Sequence, residues 1–185
     1  GKEEVKERTF HSLVRAIKSK SVQAGDIIRT MGYFTPGDGG AAAYRVEKET
    51  GETEPNGGDV IRLENGNVAI LSGVTTVNYK MFGAAGNSKS DDGINIRMAH
   101  DYANRNHLPV IVHSGEFNIE ETRNIDIRTS VQWGETVFHI NEAFNGRDPV
   151  FRISGYDAPA DIISDTEAKE ALIRDLRPGV QQIYE

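Results

Sequence analysis

The sequence contains no cysteine, which excludes disulfide bonds, thiol nucleophiles and cysteine-based zinc sites. It also has no surplus of basic residues, because 21 Lys and Arg stand against 28 Asp and Glu, a formal net charge of -7. A chain with this charge repels polyphosphates, so nucleic acid is not expected as a partner. No apolar run approaches the roughly 18 residues that a transmembrane helix needs, and no membrane span is expected.

The first 73 residues are predicted to form an N-terminal helix followed by a small β module. Apolar residues over 5–20 recur near helical spacing, and Thr9 is a suitable N-cap. The runs 25–33 and 41–46 are rich in strand-forming residues, and the Pro-Gly-Asp-Gly-Gly cluster at 36–40 separates them. They predict two strands joined by a glycine-rich connection.

A hairpin is predicted later in the same module. The step Asn65-Gly66 lies between the strand-like runs 59–63 and 67–71. A type I′ turn requires positive φ at both central residues, and Asn-Gly is the pair that best tolerates it. We therefore expect a type I′ hairpin at this position.

Residues 74–185 are predicted to form a second region of helices and short strands. Ser90 or Asp91 can cap a helix that Pro109 ends. Its expected apolar face comprises Ile94, Met98, Ala99, Tyr102 and Ala103. The strands that follow are expected at 110–112, 116–119, 124–127, 131–133, 137–140 and 150–153. Short strands without intervening helices favour stacked coils, a sandwich or a barrel. A capping box at Ser164–Glu167 predicts a further helix over 164–177.

One stretch of the second region has a specific pattern. Residues 77–92, Val-Asn-Tyr-Lys-Met-Phe-Gly-Ala-Ala-Gly-Asn-Ser-Lys-Ser-Asp-Asp, resemble the opening motif V-N-V-K-D-F-G-A-K-G-D-G-x-T-D-D of the pectate-lyase-like superfamily. The resemblance is strongest over 77–119, where a helix and then a strand with a glycine turn follow in the family's order. The chain departs from the pattern at Met81, Gly93 and His113, where the family usually has Asp, Thr and Pro.

The resemblance implies a mainly β fold with capping helices, the N-terminal part of a right-handed single-stranded parallel β-helix that is truncated here. The helix would cover the first coil, whose apolar interior and strand edge are otherwise open. Asp91 and Asp92 would then accept backbone N–H groups near the helix start. The alternative for this pair, a Ca²⁺ ligand set or an acid/base pair, is disfavoured because the family's catalytic residues lie on later coils.

A second resemblance lies upstream. Residues 25–46, which include Gly32-Tyr33, Pro36-Gly37-Asp38-Gly39-Gly40 and Tyr44, are similar to a module that precedes the β-helix in some phage tailspikes and appendages and in related bacterial surface proteins. This glycine cluster is not followed by a helix start, so a hairpin-like connection is expected rather than a phosphate cradle.

Isolated side chains were weighed as ligand contacts. Trp133 and Tyr156 would stack on a sugar ring if exposed, although burial is the more common fate of a lone Trp in a strand. The five histidines show no metal-ligand spacing, and no metal site is expected. The serines lack a nucleophile-elbow context, so a serine hydrolase is not supported.

These observations predict a capping or attachment portion of a carbohydrate-directed β-helix protein that is secreted or displayed at the cell surface, whether extracellular or periplasmic. Coils of roughly 20 to 25 residues fit only two or three times, so a complete catalytic site is not expected. The alternative is a polysaccharide lyase or glycoside hydrolase acting on acidic polysaccharide, with Asp126, Glu135 or Asp148 as acidic groups. No cofactor is expected, apart from Ca²⁺ if the chain is a lyase. A third alternative is a structural subunit of a phage tail, expected as a homotrimer.

Overall fold

The protein was analysed as a computed structural model, which describes residues 5–141 and 148–155. Its contacts define two compact units. Unit 1 comprises Gly1–Val74 and Lys80–Gly83, and unit 2 comprises Thr75–Tyr79 and Ala84–Glu185. The helix predicted over 164–177 lies outside the described residues. No helix among the described residues is long and apolar enough to cross a membrane.

Unit 1 is built on one five-stranded sheet. Its elements are β1 (Glu7–Phe10), α1 (Leu13–Lys18), β2 (Ile27–Thr30), β3 (Ala43–Lys48), β4 (Val60–Arg62), β5 (Asn67–Ser72) and a short 3-10 helix (Lys80–Phe82). The strand order is β1-β2-β3-β5-β4, in which only β1 and β2 pair in parallel. Buried residues of the central strands β2, β3 and β5, among them Ile28, Tyr44 and Val68, form the core.

The helix predicted over 5–20 is wrong in its first half. Residues Glu7–Phe10 form β1, and Thr9 pairs with Arg29 of β2 instead of capping a helix. The N-cap is Ser12, whose Oγ accepts a hydrogen bond from the Arg15 N–H at 3.1 Å. Pairing with a distant strand therefore overrides the local helical spacing.

The predicted strands β2 to β5 are confirmed, but the turn type at Asn65-Gly66 is not. Gly66 has φ +91°, whereas Asn65 is absent from the residues with positive φ. Hydrogen bonds run from the Gly66 N–H to the Leu63 carbonyl and from the Leu63 N–H to the Asn67 carbonyl. This is a three-residue loop with glycine in the left-handed position, the next most common hairpin after the two-residue types.

Unit 2 contains only parallel strand pairs within its described residues. Its elements are β6 (Asn87–Asp91), α2 (Gly93–Asn106), β7 (Val110–Ile111), β8 (Ser114–Ile119), β9 (Ile125–Ile127), β10 (Val131–Gln132), β11 (Glu135–Ile140) and β12 (Phe151–Ile153). They form the sheets β10-β7, β11-β8-β6 and β12-β9. The chain thus passes twice through three sheets in the same order, first along β7, β8 and β9 and then along β10, β11 and β12.

The repeat has a regular length. Val131 pairs with Val110 and Glu135 with Ser114, a spacing of 21 residues in both cases, and Phe151 pairs with Ile125 after 26 residues. Inward-facing side chains of the first passage are fully buried, including Phe117, Ile119, Ile125 and Ile127. Each passage therefore stacks its apolar residues on those of its neighbour.

Corresponding corners of the two passages share a left-handed backbone. His113, between β7 and β8, has φ +68°, and Gly134, 21 residues later, has φ +61°. A Cβ atom on Gly134 would lie 1.9 Å from the His113 carbonyl oxygen. The second corner therefore requires glycine both for its φ angle and for its close approach to the first.

The helix α2 starts later than predicted and turns a different face inward. Ser90 and Asp91 belong to β6, and the N-cap is Asp92, whose side chain makes no cap hydrogen bond. Ile94 is 63% exposed, so it does not belong to the buried face. The buried residues of α2 are Gly93, Ile96, Ala99, His100, Tyr102 and Ala103. This face packs against β7 and β9.

A candidate ligand cleft beside helix α2

A surface cleft of about 520 Å³ lies beside the first two turns of α2. We call it the α2 cleft. Its lining consists of Asp91, Ile94, Arg97, Glu120, Glu121, Thr122 and Arg123. The first three come from the end of β6 and from α2, and the others come from the loop between β8 and β9. Parallel pairing of β6 with β8 brings these two segments together.

Asp91 and Asp92 fix the backbone around the cleft. Oδ1 of Asp91 accepts hydrogen bonds from the N–H groups of Gly93 at 3.0 Å and Glu120 at 3.2 Å. Asp92 is 2% exposed and accepts from the N–H groups of Ala85 and Gly86. The expectation that both carboxylates accept backbone N–H groups is confirmed, but Asp92 orders the turn before β6 instead of the helix.

Arg123 forms the base of the cleft. Its side chain is buried, with 7% of the residue exposed. Nη1 donates to the carbonyls of Glu120 at 2.8 Å and Thr122 at 2.9 Å, and Nη2 donates to the Asn141 carbonyl at 2.8 Å. Nε has no hydrogen-bond partner. No carboxylate of the described residues lies within 4.0 Å of this guanidinium, so neutral dipoles alone compensate its charge.

The remaining polar groups alternate between donors and acceptors. Nη2 of Arg97 donates to the Arg123 carbonyl, which leaves its other N–H groups available. Oε2 of Glu120 accepts from Asn141 Nδ2 at 2.5 Å. Glu121 is exposed. The cleft therefore offers guanidinium donors, carboxylate acceptors and one exposed apolar side chain, Ile94.

A pair of acidic residues lies one turn further along α2. Burial raises the pKa of Asp101, Arg97 and Arg105 act in the opposite direction, and Asp126 of β9 adds to the increase. Oδ2 of Asp126 lies 3.9 Å from Arg128 Nη2. Asp101 and Asp126 are thus close enough to interact, although both remain solvent-accessible.

Asn104 of α2 binds the edge of β9 directly. Its Nδ2 donates to the Asp126 carbonyl at 3.0 Å, and its Oδ1 accepts from the Arg128 N–H at 3.0 Å. The neighbouring groups of Ile125 and Ile127 instead bond toward β12. A single amide side chain therefore satisfies two main-chain groups on the β9 edge away from β12.

The interior of unit 2 contains a buried histidine that is unsuited to contact a ligand. His100 Nε2 lies 2.7 Å from the Tyr79 hydroxyl, while Nδ1 has no partner. Burial lowers the pKa of His100 to about 3, so the ring is neutral in the folded protein. Burial also raises the pKa of Tyr79 well above its usual value.

The two aromatic residues predicted to contact sugar differ in what the structure shows. Trp133 is 9% exposed and packs edge-to-face against Phe138 and Phe151, with ring centroids 5.5 Å away in both cases. Its ring therefore lies in the apolar interior and does not face solvent. Tyr156 lies outside the described residues.

The three predicted acidic residues are not gathered into one site. Asp126 lies in the sheet of β9 and β12, and Glu135 lies at the start of β11 in a different sheet. Asp148 is exposed ahead of β12. Within 5–141 and 148–155, no group of three or more His, Asp or Glu side chains could hold a metal ion. The α2 cleft was not predicted, because Glu120–Arg123 has the composition of an ordinary polar turn.

Solved structures show what this fold is similar to. Pantoea stewartii WceF, described as a glycan biofilm modifying enzyme with a bacteriophage tailspike-like parallel β-helix fold, matches with a TM-score of 0.54 and 16% identity over 73% of this chain and 21% of that chain. The Acinetobacter baumannii phage AM24 tailspike protein matches with a TM-score of 0.52 and 11% identity, over 68% and 22% of the two chains. The enzymatically active domain of bacteriophage CBA120 tailspike protein 4 matches with a TM-score of 0.51 and 16% identity, over 83% and 21%.

These likenesses show a tailspike-like parallel β-helix fold. The chain spans about a fifth of the length of the solved structures that it matches. No family model and no curated protein matches the sequence.

Proposed function

We propose that this chain is a capping and attachment portion of a carbohydrate-directed, pectate-lyase-like β-helix protein, without a complete catalytic site of its own. The observation that carries the proposal is the repeated passage through three parallel sheets, found in a fold like that of a glycan-modifying enzyme and of phage tailspikes. We place the protein at a cell or virion surface, where such proteins meet glycans.

The capping role of α2 is supported by what lies on the outer side of the first passage. Val77 bridges to β7 and β6 pairs with β8, each on the side opposite to the second passage. Beside β9 the equivalent place is taken by α2, through Asn104 and the buried helix face. Main-chain groups that a preceding strand would otherwise satisfy are bonded to a helix side chain, which is the requirement for ending a parallel stack.

The enzymatic alternative is a lyase or glycoside hydrolase that acts on acidic polysaccharide through Asp126, Glu135 or Asp148. Incubating the chain with a panel of uronic-acid polysaccharides at increasing Ca²⁺ would reveal unsaturated products from a lyase, and a reducing-end assay would reveal a hydrolase. We expect neither product to form. Either product, abolished by a substitution at one of the three residues, would replace our proposal.

Binding is the direct test of the carbohydrate-directed role. We expect the chain to bind at least one surface polysaccharide immobilised on an array, with no turnover. Absence of binding to every polysaccharide would leave the third alternative, a purely structural subunit of a phage tail. Sedimentation tests that alternative further, because a tail subunit of this fold is expected to be a homotrimer.

A further inference from the structure

We infer that the α2 cleft is a subsite for an uncharged, hydroxyl-rich pyranose unit of a glycan. The inference rests on the proposed carbohydrate-directed function and narrows its ligand class. It concerns binding only and assigns no reaction to the cleft.

The donor and acceptor pattern fits vicinal hydroxyl groups. Each sugar hydroxyl both donates and accepts, so two adjacent hydroxyls match a planar side chain that presents two polar atoms. Glu121 makes no hydrogen bond or ion pair within the described residues, which leaves both oxygens as acceptors. Arg97 uses Nη2 for the Arg123 carbonyl and has Nε and Nη1 left to donate. One carboxylate and one guanidinium therefore face the same cleft with unused hydrogen-bonding capacity.

Arg123 is the independent sign that the cleft is built for a ligand. A guanidinium that is more than nine-tenths buried is costly unless its charge and donors are compensated. Here three carbonyls bond to Nη1 and Nη2, while Nε is unpartnered and no described carboxylate is within ion-pair distance. The buried charge holds the loop Glu120–Arg123 in place and polarises groups bound above it.

Ile94 supplies the apolar component. It is 63% exposed at the second position of α2 and lines the cleft beside Arg97. A pyranose ring presents C–H groups on one face and hydroxyls at its rim. Ligand sites for such molecules combine apolar contact with a few placed polar groups. A cleft of about 520 Å³ is large enough for one or two sugar rings.

Charge selects against acidic sugars. Three carboxylates and two guanidiniums line the cleft, so its lining has one net negative charge, and the whole chain has a net charge of -7. A uronate carboxylate would therefore meet repulsion both locally and at long range, whereas a neutral hexose would not. The site thus differs from one made for the acidic polysaccharide of the enzymatic alternative.

The test uses pairs of ligands that differ only at C6. The ¹⁵N-labelled chain is titrated with the methyl glycosides of glucose, galactose and mannose, and with the matching uronates. We expect at least one neutral glycoside to shift the amides of Gly93, Glu120 and Glu121 and the Nε–H of Arg97. Its uronate should bind at least threefold more weakly, with the difference shrinking at high salt.

Two variants and a control assign the binding to the cleft. Glu121→Gln and Arg97→Gln should each weaken the neutral glycoside about tenfold, the range for losing hydrogen bonds to a charged group. Arg105→Gln, on the same helix but outside the cleft lining, should change affinity less than twofold. Arg97 also bonds to the Arg123 carbonyl, so Glu121→Gln, which removes no contact within the described structure, keeps the test independent of folding.

Three outcomes would overturn the inference. A uronate that binds more tightly than its neutral partner removes the charge argument. Sugar-induced shifts outside the cleft, or unchanged affinity in both variants, place carbohydrate binding elsewhere while leaving the proposed function standing. Failure of every glycoside, together with failure of every polysaccharide on the array, removes both the subsite and the proposed function.

Discussion

The two units of this protein build β-structure in opposite ways. In unit 1, β4 and β5 are neighbours along the chain and pair through a loop of three residues. In unit 2, each of the strand pairs β7–β10 and β8–β11 joins residues 21 positions apart, and no described pair is antiparallel. Local turn chemistry therefore sets the hairpin register in unit 1. In unit 2 register depends on the stacking of side chains and corners from one passage onto the next.

The stacking in unit 2 is largely aromatic. Phe117 of β8 contacts Tyr79 at a ring-centroid distance of 5.3 Å and Phe138 of β11 at 6.0 Å. Phe117 and Phe138 are register partners, so the rings follow the strand pairing. Unit 1 has no such ladder among its described residues, and its close ring pair, Tyr33 and Phe34, lies in a loop. The following substitutions test this difference, from the largest expected effect to the smallest.

Replacing Phe117 with alanine should have the largest effect, because it removes a fully buried ring from the ladder. We expect the free energy of unfolding to fall by about 3 to 5 kcal/mol. Denaturant unfolding followed by the fluorescence of Trp133, the single tryptophan, reports on unit 2 directly. Val137→Ala, on the exposed face of β11, is the matched control and should cost less than about 1 kcal/mol. Equal costs for the two would show that the ladder does not stabilise unit 2.

Glycine-to-alanine substitutions compare the corners of the two units. Gly134→Ala should cost about 2 to 4 kcal/mol, because the new methyl group meets the His113 carbonyl in addition to the φ strain. Gly66→Ala should cost only about 1 kcal/mol, since its φ is also positive but nothing lies within 4 Å of the added Cβ. The measurement is the unfolding midpoint of each variant by circular dichroism. A Gly134→Ala variant as stable as Gly66→Ala would contradict the stacked corner.

His100 should make unit 2 sensitive to acid. Its pKa is about 3 when folded and near 6.5 when unfolded, so stability is complete above pH 6.5 and is lost as pH falls toward 3. Between pH 6.5 and 4.5 this residue should reduce the free energy of unfolding by about 2 to 3 kcal/mol. His100→Phe should flatten that part of the pH profile, measured by urea unfolding, while His11→Gln, at an exposed site, should not. An unchanged slope in His100→Phe would exclude the buried ring as the cause.

Asp38 should have the smallest of these effects, confined to a loop of unit 1. Burial acts to raise the pKa of Asp38, but N–H donors from Phe34, Thr35, Gly40 and Tyr33 outweigh it and lower the pKa below its usual value. Asp38→Asn keeps the shape but replaces one acceptor oxygen with a donor, and should cost about 1 to 2 kcal/mol.

The Asp38→Asn effect can be localised by hydrogen exchange. The amides of Phe34 and Gly40 should lose protection above pH 5, where the carboxylate is ionised in the unmodified chain. Because the pKa is lowered, this stabilisation should disappear only as pH falls through the acidic range. Asp59→Asn, at another carboxylate of unit 1, provides a reference. Unchanged protection at Phe34 would show that the four hydrogen bonds do not hold the loop.

The sequence predicted the positions of the strands far better than their partners. Strands β7 to β12 fall within the predicted short runs, because β-branched and aromatic residues mark them locally. The errors at Thr9 and Ile94 have one cause. Pairing with β2 and packing against β9 decide the state of those residues, and neither contact is local in sequence. The resemblance at 77–119 supplied the parallel fold that periodicity could not select.

The candidate cleft could not have been predicted in the same way. It joins Asp91–Arg97 to Glu120–Arg123, and the register of β6 against β8 alone determines that these segments meet. Arg123 lies in a run of polar residues that is typical of a solvated turn, yet its side chain is buried. A charge pattern read along the chain does not reveal which charged group is enclosed.

The two hydrogen bonds of Asn104 have a consequence for solubility. An uncovered edge of a parallel sheet is a template for a strand from another molecule, and natural proteins avoid such edges because they cause self-association. Asn104 occupies the Asp126 carbonyl and the Arg128 N–H, so a foreign strand finds these groups of β9 already bonded. Its replacement with leucine should therefore be detected first as concentration-dependent aggregation, before any large fall in the unfolding midpoint of the dilute protein.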